Sequence, residues 1–152
     1  MINCTPKSPF SWEFELEGDG HRGTVKVKWF REQGTITADG ETFEVKKQGM
    51  ASGQWTLEHH GQAVASALKE GAFRRTFEVK GQFGTFVLRP ERFFGRRFVI
   101  ETANQPVAKI RPVQFFTRRA TIEVERENTP FAAVAFMFWL VLITWRRTRR
   151  RD

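Results

Sequence analysis

Residues 131–145 read FAAVAFMFWLVLITW, and the fold turns on what this stretch does. Thr144 is its one weakly polar member, so a helix built from it is apolar on every side. Thr129 can cap the start and Pro130 suits a first helical position. Arg146 and Arg147 follow where cations favour a helix C-terminus. A helix hydrophobic all round is either a membrane span or the core of a folded body. Its fifteen residues rise about 22 Å, short of a bilayer core of roughly 30 Å. A seven-residue strand is about 23 Å long, so the helix matches a barrel wall better. Charge points the same way. Residues 146–152 carry five Arg and one Asp. A span holding them in the cytoplasm would put the rest of the chain outside. The expected role is a core helix that packs Phe131, Val134, Phe136, Phe138, Trp139, Leu140, Leu142 and Trp145 against strands. The alternative is a tail-anchored membrane protein with a cytoplasmic β domain.

Upstream, the pattern has period two. Trp12, Phe14 and Leu16 alternate with charged residues before Gly18-Asp19-Gly20, and Val25, Val27 and Trp29 alternate with Lys26 and Lys28. Ile36, Asp39-Gly40, Phe43 and Val45 read as a hairpin around an Asp-Gly turn. Such runs predict strands with one buried face, and Trp29 falls on that face.

An internal repeat sets the rhythm. LRPERFFGRR at 88–97 recurs as IRPVQFFTRR at 110–119, an offset of 22 residues, with a weaker copy at Phe73-Arg74-Arg75. A second echo relates Gln62-Ala63-Val64-Ala65 to Gln105-Pro106-Val107-Ala108. Two strands and two short connections fill such a repeat. Each copy is thus one strand pair of an antiparallel meander, with its Pro at a strand end. From Phe10 to Glu127 this predicts roughly ten to twelve strands. So many strands, facing so many rings, favour a closed barrel of about twelve. The expected organisation is a flexible 1–9, a single barrel over 10–145 with its core helix at 131–145, and a basic tail at 146–152.

Sixteen Phe, five Trp and no Tyr supply ample ring surface for a core, which excludes a disordered chain. The single Cys4 excludes an internal disulfide and a cysteine-rich zinc site, and reads as a free thiol. The first ten residues hold two Pro and no apolar run, so no signal peptide is expected and the location is read as cytoplasmic, peripheral to membrane.

The strand-pair rhythm from Trp55 to Glu127, followed by the apolar helix, resembles the tubby-like superfamily. That group comprises the tubby C-terminal domain, phospholipid scramblases and the LURP-one-related proteins. Gln105-Pro106-Val107-Ala108-Lys109-Ile110 looks like a short strand of LURP-one-like bacterial proteins. The resemblance implies a closed barrel around a central hydrophobic helix and a lipid-linked role. The phosphoinositide site of tubby domains has no residue-by-residue counterpart here. The Asp-rich calcium run and the Pro-rich and Cys-rich segments of scramblases are also lacking.

Catalytic patterns are sparse. His59-His60 are neighbours on a strand, expected on opposite faces, which suits a polar turn better than a metal. Glu13, Glu15 and Glu17, and likewise Glu123, Glu125 and Glu127, read as outer-face acids opposite Lys and Arg. Gly81-Gln82-Phe83-Gly84 reads as a turn between strands rather than a phosphate loop. No enzyme activity, cofactor or metal is expected, and a lipid-acting or small-ligand enzyme would need an internal pocket.

The net charge is +8. Arg74, Arg75, Arg96, Arg97, Arg118 and Arg119 form double-Arg pairs starting equivalent strands, one of each pair facing the barrel side. They read either as rim ion pairs with Glu78, Glu101 and Glu123 or as a basic collar for anionic lipid headgroups. Arg146, Arg147, Arg149, Arg150 and Arg151 would add to that collar. The expected function is a non-enzymatic binding or scaffold domain, contacting an anionic membrane surface or an acidic protein. Nucleic acid is disfavoured as a partner because Trp29, which could stack on bases, is assigned to the core.

Overall fold

The alternating runs become strands in the computed structural model, which describes residues 1–49, 53–71, 74–114 and 117–151. The first six are β1 (Ile2–Pro6), β2 (Glu13–Gly18), β3 (His21–Val27), β4 (Gly34–Ala38), β5 (Glu41–Lys47) and β6 (Gln54–His59). The next six are β7 (Gln62–Lys69), β8 (Phe77–Gly81), β9 (Gly84–Pro90), β10 (Phe98–Thr102), β11 (Gln105–Pro112) and β12 (Ala120–Val124). One helix, α1 (Phe131–Arg151), follows. Each strand pairs antiparallel with its sequence neighbours, and β1 pairs with β12 through Ile2↔Ile122 and Cys4↔Ala120, closing a twelve-stranded barrel. Closure leaves no strand edge unpaired.

Both sequence repeats have a structural meaning. Pro90 and Pro112 end β9 and β11, where a missing N–H disturbs least. The Gln-x-Val-Ala echo marks two β-bulges. Leu57 faces Ala65 while Glu58 faces Ala63, and Ile100 faces Ala108 while Glu101 faces Pro106. Val64 and Val107 are the extra residues. Their carbonyls accept from Gln82 N and Glu125 N at 3.0 and 2.8 Å.

The helix fills the barrel. Ala133 to Ile143 are at most 1% exposed all round the helix, within one apolar cluster that also holds Phe14, Leu16, Val25, Ile36, Phe43, Trp55, Phe77 and Phe98. By length and composition α1 could cross a membrane, yet 83% of its most apolar window is buried within the fold. An anchoring role would require the barrel to surrender that helix. Its indole groups reach the wall. Trp139 Nε1 donates to Lys26 O at 3.0 Å and Trp145 Nε1 to Arg96 O at 3.1 Å. Gly34 makes the first approach possible, because a Cβ there would stand 2.6 Å from Trp139 Nε1 and 1.9 Å from Lys26 O.

Several expectations need correction. Residues 2–6 are not a flexible terminus but the strand that closes the barrel. Cys4 is correspondingly buried, and burial pushes its thiol pKa far above the ordinary range. Residues 146–151 are not a separate tail but the end of α1. Pro130 precedes the helix and its carbonyl accepts from Val134 N at 3.2 Å, while the Thr129 hydroxyl donates to Arg126 O at 2.8 Å instead of capping. Trp29 is not in the core: β3 stops at Val27, and Trp29 is 57% exposed.

Gly34→Ala should lower the unfolding free energy in a urea titration by about 1–3 kcal/mol, by displacing the Trp139 indole. A chain truncated after Pro130 should lose its cooperative melt altogether, since the barrel would be left hollow.

Candidate functional site

An up-and-down barrel sends its connections alternately to two ends, and here the ends differ. At one end, β2–β3, β4–β5, β6–β7, β8–β9 and β10–β11 are joined by two-residue turns. Asp19, Asp39, His60, Ala103 and Asn104 adopt positive φ there, as tight hairpins require. The other end carries six connections of six or seven residues: 7–12, 28–33, 48–53, 70–76, 91–97 and 113–119. Helix α1 enters at the tight-turn end and ends among the long connections.

Charge follows this division. The six long connections and residues 146–152 hold fifteen Lys and Arg against four Asp and Glu, whereas the rest of the chain holds ten against thirteen. Exposed rings follow it too. Phe10, Trp29, Phe30, Phe93 and Phe94, each 57% to 93% exposed, all lie in long connections. Met50, Phe73, Phe115 and Phe116 occupy the remaining three in sequence and fall outside the described residues.

The predicted arginines divide into two kinds. Arg74, Arg97 and Arg119 are exposed. Arg75, Arg96 and Arg118, each two residues before its strand, lie half-buried against rings. Arg75 sits 5.7 Å from the Phe98 ring centre, Arg96 4.7 Å from Trp145, and Arg118 4.9 Å from Trp12. The weak copy in the sequence is therefore one residue out of step, with Arg75 matching Arg96. The expected ion pairs with Glu78, Glu101 and Glu123 do not form. Glu78 pairs with Lys80 at 2.9 Å, Glu101 pairs with Arg89, and Glu123 lies opposite Lys109. Two of the inner arginines hold loop carbonyls instead. Arg75 donates to Gly95 O and Phe93 O at 2.6 and 2.9 Å, and Arg118 to Pro9 O and, at 3.4 Å, to Ser8 O.

The end of α1 behaves similarly. Arg146 is 5% exposed and donates to the carbonyls of Lys28 and Arg31. Arg150 donates to Trp29 O at 3.1 Å. Arg147 pairs with Glu32, which also takes Lys47 Nζ at 2.9 Å, and both cations lie 5.6 Å from the Trp55 ring centre. Arg146 and Arg147 are thus engaged within the fold, whereas the sequence placed them in a free collar. Arg149 is exposed and has no hydrogen bond or ion pair among the described residues. The side chain of Arg151 lies outside the described set.

Arg149 meets like charge. Burial first, and then Arg149, lower the pKa of Arg96 and of Arg118. Burial first, then Arg150, does the same to Arg146. All stay ionised at neutral pH, given how far above it arginine titrates. Phe10, Trp12, Trp29, Arg118, Arg146, Arg149 and Arg150 line a cleft of about 260 Å³ at this mouth. Roomier clefts exist, but one is lined by Glu41, Glu44 and Glu58 with His59 and His60, an arrangement that repels anions. Those histidines are not on opposite faces. His60 has left the strand at φ 52°, and the two rings lie 4.1 Å apart. Among the described residues no group of three or more His, Cys, Asp or Glu is placed to hold a metal ion.

Of the six acids read as outer-face partners of Lys and Arg, three are so paired: Glu13 with Lys7 at 3.0 Å, Glu17 with Arg22 at 2.9 Å, and Glu125 with Lys109 at 3.5 Å. Glu15 faces Thr24 instead, and Glu125 and Glu127 lie past the end of β12 rather than on its face. What the sequence reading missed is the set of exposed rings. The signal was present, since the adjacent rings in Phe93-Phe94 and Trp29-Phe30 cannot both face inward from one strand.

No family model matches the chain, and comparison with curated proteins and with solved structures gives no match.

Burial works against the charged form of Glu32, but hydrogen bonds from Arg147 and Lys47 outweigh it and hold the carboxyl below its ordinary value. A depressed folded pKa gives stability that is present at neutral pH and lost as pH falls through that value. Glu32→Gln should therefore cost about 1.5–3 kcal/mol at pH 7. The gap from wild type should close in acid, as chemical denaturation across a pH series would show.

Proposed function

We propose that this chain is a non-enzymatic, peripheral membrane-binding module of the tubby-like type, which meets anionic lipid with its arginine-rich end. The observation that carries the reading is the concentration of Lys and Arg at one barrel end, with Arg149 lacking any described carboxylate partner there. The tubby-like likeness is supported by the architecture, a closed meander of twelve strands around a C-terminal helix. A binding rather than catalytic role is supported by the filled interior, where helix and wall rings occupy the space a substrate pocket would need. On this reading the protein works at the cytoplasmic leaflet, where anionic headgroups draw basic residues at about 1 kcal/mol each.

Co-sedimentation tests this. The protein should pellet with phosphatidylserine-containing vesicles, not with phosphatidylcholine alone, and salt should release it. Replacing Arg97, Arg119, Arg149 and Arg150 together by Gln should weaken binding by about a hundred- to a thousandfold. Equal binding to neutral and anionic vesicles, or none to either, would refute the reading, as would capture by an acidic protein alone.

A further inference from the structure

Resting on the membrane reading above, we infer that the barrel docks end-on, with its ring-bearing connections inserted into the headgroup–acyl boundary of an anionic bilayer. Two independent observations lead there. First, every exposed Phe and Trp among the described residues lies in a long connection at the basic end, and none lies at the tight-turn end. Isolated exposed rings are ordinary, but five gathered at one barrel mouth mark an interaction surface. Second, these rings are held rather than loose. Arg75 grips the backbone carrying Phe93 and Phe94, Arg118 the backbone before Phe10, and Arg146 and Arg150 the backbone around Trp29 and Phe30. The guanidinium groups thus fix the loop backbones while the rings project outward.

The occupant follows from shape and charge. Twelve strands at the usual spacing and tilt make a ring roughly 24 Å across. Rings from connections spaced around such a mouth suit an extended surface better than one small ligand. A second copy of this chain would bring two strongly basic ends together. A bilayer with anionic headgroups supplies both an apolar layer for Phe and Trp and countercharge for Arg. Aromatic rings also settle readily at the lipid–water interface. Docking in this way points the axis of α1 along the bilayer normal while the helix stays inside the barrel.

Trp29 provides a built-in probe. It is 57% exposed, while Trp12, Trp55, Trp139 and Trp145 are each at most 8% exposed. On phosphatidylserine-containing vesicles its emission should shift blue and be quenched by brominated acyl chains, and Trp29→Phe should remove most of that change. Trp29→Ser with Phe30→Ser, and Phe93→Ser with Phe94→Ser, should each weaken vesicle binding by roughly tenfold or more, with a larger loss at high salt. Circular dichroism and thermal melts of these variants should match wild type, because the rings replaced pack little against the core. Anionic-vesicle binding with Trp29 unquenched and both ring variants at wild-type affinity would overturn insertion while leaving the electrostatic reading intact. Failure of the wild type to bind any vesicle would overturn both, as would binding confined to single-stranded oligonucleotides.

Discussion

A closed wall of twelve strands encloses more room than its own side chains can fill. Barrels of about eight strands are narrow enough for wall side chains to meet. A wider one must hold water, a ligand or another piece of chain. Here the wall turns Phe14, Phe43, Trp55, Phe77 and Phe98 inward and still needs α1 to complete the packing. The helix in turn needs the wall, because an all-round apolar surface has no stable place in water. Neither element is a finished structure by itself, and Gly34 with the Trp139 indole shows how closely their shapes are matched.

That mutual dependence frees the ends. Since the core is filled along its length, the connections contribute little to closure and can differ. One set is reduced to turns of two residues, with Asp or His leading into Gly in three of them. The other set is long and basic as a whole, and 7–12, 28–33 and 91–97 carry exposed rings. The arginines there serve the fold and the surface at once. Arg75, Arg118 and Arg146 satisfy loop carbonyls that would otherwise face a crowded mouth, and they raise the positive potential of the same region.

The fold was largely legible because its two signals are strong. An apolar run from Phe131 to Trp145 and period-two alternation over ten-odd segments leave few architectures to choose from. What escaped was set by tertiary context. Ile2 and Cys4 belong to a strand, yet INCTP is too short, and too close to Pro6, to stand out as one. The helix runs on through Arg146 to Arg151 because arginine is a good helix former and Arg147 finds Glu32 on a distant loop. Of the candidate site, the sequence marked arginines that gather at one barrel end but not their partners. Period two assigned Trp29 to the core, since alternation cannot say where a strand stops. The partners of Arg96 and Arg118 proved to be Trp145 and Trp12, the first brought in by the helix that fills the barrel and the second by closure of the seam.

The order of elements also constrains the protein's birth. The seam joins Ile2 to Ile122, and the filling begins at Phe131. While a ribosome works through the strands, the nascent chain has edges with no partner and rings with no cover. Nothing resembling the native interior can form until residue 145 has left the tunnel. This topology thus prolongs the time during which apolar segments stand uncovered as the chain is made.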